Sequence, residues 1–243
     1  EGSTDFDTIK ALAVKIKHPA LEALTGRINY YYTRNIMPAN TLDNRLERAG
    51  GAYQGDFKRH FYAMKSLVPE FKGLAILDGD ARDLPDESVE GLDVLYWKRY
   101  EIENYYITPD LILKFVAGVF YREDGLFTES SVKAMREVMD ERLLEKVFAG
   151  DRQQLDEYTK ASASLQKTLL KNLKMSEFAE GVFEEFARRQ MQPVLLRKGE
   201  YCQMIELVES GDIAVEVTEK LNRLAEHFKD IVVLDTQKLS KME

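Results

Sequence analysis

Gly73-Leu74-Ala75-Ile76-Leu77-Asp78-Gly79-Asp80 is the stretch that decides how this chain is read. The first five residues form a short apolar run of the kind that makes a strand covered on both faces. Two carboxylates, Asp78 and Asp80, follow directly from its carboxyl end. A second apolar run, Leu92-Asp93-Val94-Leu95-Tyr96, leads through Trp97-Lys98-Arg99-Tyr100 to Glu101-Ile102-Glu103-Asn104. In an extended chain, residues two apart point the same way. Each acidic pair can therefore aim both carboxylates at one point. Open α/β sheets carry their sites at the carboxyl ends of the strands. Four acids gathered there would repel one another strongly without a cation between them.

Composition narrows the classes. The 243 residues suffice for one large domain, or for a core with an inserted subdomain. Hydrophobic residues make up 44% and charged residues 31%, ordinary for a soluble globular chain. No apolar run approaches the ~20 residues that span a bilayer, and the polar, acidic start carries no secretory signal. Cys202 is the only cysteine, which excludes an internal disulfide and suits a cytoplasmic location. His18, His60 and His227 are scattered and cannot build a Cys/His zinc site with one cysteine. A net charge of −8 argues against a nonspecific nucleic-acid coat. It leaves room for a local nucleic-acid site whose acids are neutralised by metal. The chain opens on Glu1 rather than methionine, as a piece of a longer protein would.

Taken in order, residues 6–24 have helical periodicity broken at Pro19, and 28–32 read as a strand of β-branched and aromatic residues. Phe57, Phe61, Met64, Val68 and Phe71 mark a helix over 56–71. An acidic loop over 81–91 separates the two apolar runs. Thr108-Pro109 is a helix start, with Thr as N-cap and Pro in the first turn. This alternation of strand and helix predicts an α/β fold with a mainly parallel sheet flanked by helices. Residues 129–190 read as helical throughout, in about three helices, with Gly150-Asp151 as a stop and N-cap and Ser176 as a later cap. Strand character returns at 193–196. Helices are expected over 201–208 and 217–228, with an edge strand at 231–234. The expected division is a core over 1–128, a helical insertion over 129–190, and the remainder of the core over 191–243.

Glu1-Gly2-Ser3-Thr4-Asp5, then Asp78-Gly79-Asp80, then the Trp97–Tyr105 segment with Glu101 and Glu103 resemble, in that order, a TOPRIM domain. The last segment is similar to the TOPRIM half of OLD-type proteins, in which an ABC-type ATPase is fused to a nuclease. These also tend to carry a helical insertion and a late lysine. The resemblance implies a TOPRIM-like fold and a Mg²⁺- or Mn²⁺-dependent endonuclease acting on DNA or RNA. It also implies an ATPase domain in the same or a partner chain, an oligomeric assembly, and a role in antiphage defence. No GxxxxGK[ST] phosphate loop occurs here, so any ATPase lies outside this sequence.

By this resemblance Glu1, Asp5, Asp78, Asp80, Glu101 and Glu103 form a site for one or two ions, with Glu1 also catalytic. Mg²⁺ and Mn²⁺ prefer oxygen ligands. Two such ions about 4 Å apart activate water and stabilise a leaving oxygen. Lys198 is the candidate cation for charge building on the transferred phosphate, with Arg197 as its competitor. Each assignment has an ordinary alternative. Asp78-Gly79-Asp80 could be a plain Asx turn, Glu101 and Glu103 could pair with Lys98 and Arg99, and Asp5 could cap a helix. Lys198 could be a solvated surface lysine. Tyr30, Tyr31, Tyr32, Tyr105 and Tyr106 read as packing residues before topoisomerase nucleophiles. Lys167, Lys171, Lys174, Arg188 and Arg189 either track a phosphate backbone or form wet helix faces. Two rival functions remain: a catalytically silent oligomerisation or effector-docking module, and a primase or topoisomerase fragment.

Overall fold

Two parallel strands carry both acidic motifs at their carboxyl ends. In the computed structural model, which describes residues 3–26, 28, 30, 54–80, 82–123, 125 and 127–229, β1 (Gly73–Leu77) pairs with β3 (Leu92–Tyr96) from Gly73↔Leu92 to Leu77↔Tyr96. β2 (Glu87–Val89) lies antiparallel on the far side of β3, so the order is β1-β3-β2. The sheet is thus mixed rather than mainly parallel among the described residues. β2 falls within the stretch expected to be loop. Glu90 and Gly91 join it to β3, both at positive φ (+51° and +88°), as a two-residue hairpin turn of the primed kind requires. Glutamate is an unusual residue for that turn, which is why the hairpin left no clear signal.

Strand alternation assigns the two faces. Ala75, Leu77, Leu92, Val94 and Tyr96 pack with Phe57 and Phe61 of α3 (Gln54–Leu67). Leu74, Ile76 and Trp97 turn the other way, into the main core with α1 (Ser3–Lys15), α2 (Ala20–Gly26) and α9 (Val215–Phe228). Helices therefore cover both faces, an α/β layering. Polar pins hold α9 in place: His227 and Arg223 contact Asp93 on β3 at 3.1 and 3.3 Å, and Lys220 pairs with Asp86 at 2.8 Å.

The main core continues without a break into the helices beyond residue 108. α4 (Pro109–Glu123) starts as expected, with Leu111 N donating to Thr108 Oγ1 at 3.1 Å. α5 (Thr128–Lys146), α6 (Arg152–Lys160), α7 (Ala163–Leu169) and α8 (Met175–Gln190) follow. The region holds four helices, not three: the stripe from Leu155 to Leu173 breaks where Ser162 accepts from Leu165 N and starts α7. Asp151 caps α6 by accepting from Gln153 N and Gln154 N. Val182, Phe183 and Phe186 of α8 are completely buried against this core, each contributing roughly 1.5–3 kcal/mol by leaving water.

Residues 193–196 are not a strand. Leu196 is buried and Val194 and Leu195 pack on the main core, but the segment joins no ladder, and Pro193 has no N–H to offer one. A 3-10 helix, Lys198–Leu207, stands in place of the expected 201–208 helix and packs on α1. The expected strand at 231–234 and most of that at 28–32 lie outside the described residues. Among the described residues no helix is long and apolar enough to cross a membrane.

Candidate functional site

β1 and β3 end in register, so the segments after them leave the sheet side by side. Trp97 N donates to Leu77 O at 2.9 Å, and Asp80 N donates to Tyr100 O at 3.0 Å. The Asp78-Gly79-Asp80 turn is thereby pressed onto residues 97–100. A side chain at Gly79 would place its Cβ 2.0 Å from Trp97 O and 2.8 Å from Arg99 O. Only glycine permits this approach. Asp80 sits at φ +48°, a left-handed conformation that Asp tolerates better than most residues. Its carboxylate pairs with Arg82 at 2.8 Å, and Arg82 Nε also donates to Gly79 O at 3.2 Å. Asp78 is half-buried.

The second acidic pair lies beyond Tyr100: Glu101 is the extended residue just before a one-turn 3-10 helix over Ile102–Tyr105, and Glu103 is on that helix, whose four residues are all buried. Glu101 does not pair with Lys98 or Arg99. It accepts from Ser176 N at 2.5 Å and Ser176 Oγ at 2.9 Å. Ser176 was expected to cap α8; instead it stands in the first turn and receives its cap from a carboxylate 75 residues earlier. An anion is favoured there by the free N–H groups of the helix start. Burial pushes the Glu101 pKa up, against the pull of Ser176, Lys198 and Lys174.

Glu103 is 4% exposed. Burial pushes its pKa up to about 8, and the neighbouring charges of Glu101 and Asp5 push the same way; its own backbone N–H and Lys198 oppose them. Asp5 occupies the first turn of α1. Lys198 begins the 3-10 helix that packs on α1, with Gly199 close to Thr4. Its charge reaches Glu101, Glu103 and Glu177, whereas Arg197 is exposed and its backbone N–H is held by Glu200.

Four of the sequence candidates, Asp5, Glu101, Glu103 and Lys198, thus share one electrostatic neighbourhood. Asp78 and Asp80 occupy the adjoining turn, bonded to Tyr100 immediately before Glu101. Glu1 lies outside the described residues. Among the described residues, no three acids, histidines or cysteines converge as a ready-made metal cage. The donor chemistry nonetheless suits a hard divalent ion: the acids supply oxygen alone. Cys202 is a neutral thiol, its pKa pushed up by burial and by Asp7. Burial chiefly makes Glu103 hold its proton, and a cation beside it would relieve the repulsion from Glu101 and Asp5 that adds to this.

Comparison with family models, curated proteins and solved structures finds no match for this chain.

Further residues support the site without announcing themselves in sequence. Glu216 of α9 accepts from Lys98 N at 2.9 Å and from the Tyr105 hydroxyl, so one side chain fastens both ends of the 98–105 segment. Arg99 donates to Asn104 O at 2.6 Å and stacks over the Tyr105 ring. Tyr105 and Tyr106 are buried, as packing residues should be. Of the basic residues weighed as a phosphate track, Lys174, Arg188 and Arg189 are paired with Glu177, Glu185 and Glu141.

Proposed function

We propose that this chain is a divalent-cation-dependent phosphodiester hydrolase of TOPRIM type, cutting DNA or RNA. The observation that carries the reading is Glu103: a carboxylate that keeps its proton to about pH 8 because it is buried and because Glu101 and Asp5 then crowd it. A folded protein tolerates such crowding of like charges most readily where a cation is meant to enter. Asp5, Asp78 and Glu103, with Glu1, would hold Mg²⁺ or Mn²⁺. When bound, the ion supplies a low-pKa water and neutralises charge on the phosphate. Glu101, both oxygens engaged by Ser176, anchors the turn that carries Glu103. Asp80, tied to Arg82, shapes the turn that carries Asp78. Lys198 offsets negative charge at the edge of the cluster, where a phosphate oxygen would approach.

The resemblance extends the proposal to an oligomeric ATPase–nuclease of antiphage defence in the cytoplasm, with an ABC-type ATPase in the same or a partner chain. The test is cleavage of plasmid DNA and of RNA with Mg²⁺ or Mn²⁺ by the intact chain, Asp78→Ala and Glu103→Gln. Both variants should fold and lose cleavage. Cleavage unchanged in both removes the assignment. A second reading, the catalytically silent docking module, draws support from the structural duties of Glu101 and Asp80. It predicts no carboxylate-dependent heat when Mn²⁺ is titrated in.

A further inference from the structure

A cavity of about 50 Å³ opens between the 102–105 turn, the start of α4, α6 and α7. Asn104, Thr108, Asp110, Tyr158, Gln166 and Met175 are among the residues lining it. Asn104 and Tyr158 are 6% and 4% exposed, yet Asn104 Oδ1 and the Tyr158 hydroxyl have no hydrogen-bond partner. Buried polar atoms left this way are uncommon in folded proteins, and here the two residues that carry them line one cavity.

The surroundings define which atoms they are. Asn104 Nδ2 donates to the carbonyls of Leu170, Lys171 and Leu173 at 3.2, 3.4 and 2.8 Å. Turning the amide over would set its oxygen against three carbonyls. The atom left over is therefore an acceptor. The Tyr158 ring is held against Phe148, with centroids 5.5 Å apart. Burial, with the Asp110 and Asp140 carboxylates, raises the Tyr158 pKa, so the hydroxyl stays protonated in a negative environment. Lys167 also lines the cavity.

We infer that this cavity binds a small planar group with an N–H₂ donor edge, received by Asn104 Oδ1 and the Tyr158 hydroxyl. Its volume matches about four water-sized atoms, the size of a guanidinium or of the amino edge of a pyrimidine ring. The two sources share this chemistry. An amino-bearing nucleobase as the source rests on the nuclease reading; an arginine-type guanidinium does not.

The test is a metal-free calorimetric titration of the intact chain with cytidine, uridine and methylguanidinium. Saturable binding of cytidine in the range of about 1 mM, with uridine roughly tenfold weaker for want of the amino group, identifies a nucleobase site. Saturation by methylguanidinium alone identifies a guanidinium site. In either case Tyr158→Phe, which keeps the ring packing and should melt like the parent, weakens binding roughly three- to tenfold. No saturation by cytidine or methylguanidinium, equal binding of cytidine and uridine without methylguanidinium, or binding unchanged in Tyr158→Phe overturns the inference. Binding without cleavage sinks the nuclease reading alone, and cleavage without binding sinks this one alone.

Discussion

Replacing Glu103 with Gln should make the protein more stable, and increasingly so as pH rises. The pKa of Glu103 goes from 4.5, its ordinary value, to about 8 in the folded state. Below pH 4.5 the carboxyl is protonated in both states and costs nothing. Above it the unfolded chain releases the proton while the folded chain keeps it, so stability falls by about 1.4 kcal/mol per pH unit until the folded group also ionises. Over the whole interval from 4.5 to about 8 that loss is about 5 kcal/mol. Glutamine has nearly the shape of the protonated acid and does not titrate. The stability gap between Glu103→Gln and the parent should therefore widen by about 4 kcal/mol between about pH 5 and pH 8.5, with some 2.5 kcal/mol of it in place by about pH 7. Urea unfolding of both proteins across that range reads the difference directly, and groups common to both cancel. Mn²⁺ should narrow the gap by stabilising the parent alone, releasing about one proton per ion near pH 7. Parallel pH profiles, agreeing within about 0.5 kcal/mol, would refute the claim that Glu103 is a crowded, proton-holding acid.

Gly79→Ala should cost about 3 kcal/mol, because its Cβ would lie a full ångström inside the 3.0 Å that real contacts essentially never breach, against the backbone of the 97–99 segment. A thermal melt indistinguishable from the parent would show that the two loops are not in contact. Glu101→Ala leaves Ser176 N and Oγ buried and unpaired, for a net loss of about 2 kcal/mol in urea unfolding. It should also lower the Glu103 pKa, since Glu101 repels that charge, so the pH dependence described above should shrink; an unaltered dependence counts against the coupling. Glu216→Ala removes the anchor of Lys98 N and the Tyr105 hydroxyl. We expect faster amide exchange over 98–105, about tenfold for each 1.4 kcal/mol lost, and unchanged exchange there would rule out the anchoring role.

The local pattern of residues set much of this structure. The apolar runs 73–77 and 92–96 became the parallel pair, Thr108 and Asp151 start the helices they were expected to start, and both acidic motifs follow the strands as read. These features depend on neighbours a few positions apart, so the order of residues encodes them. Packing decided the rest. Backbone pairing with β3 across the Glu90-Gly91 turn, not burial, made the exposed Glu87–Val89 a third, antiparallel strand. Pro193 and the residues after it lay down on the core instead of joining the sheet. Glu101 found its partner at Ser176, on a helix whose own sequence pointed to a serine cap. Above all, the proton on Glu103 depends on burial and on the distances to Glu101 and Asp5. Those distances exist only once α1, the 102–105 turn and α8 have come together, and Coulomb repulsion between carboxylates acts through space, not along the chain.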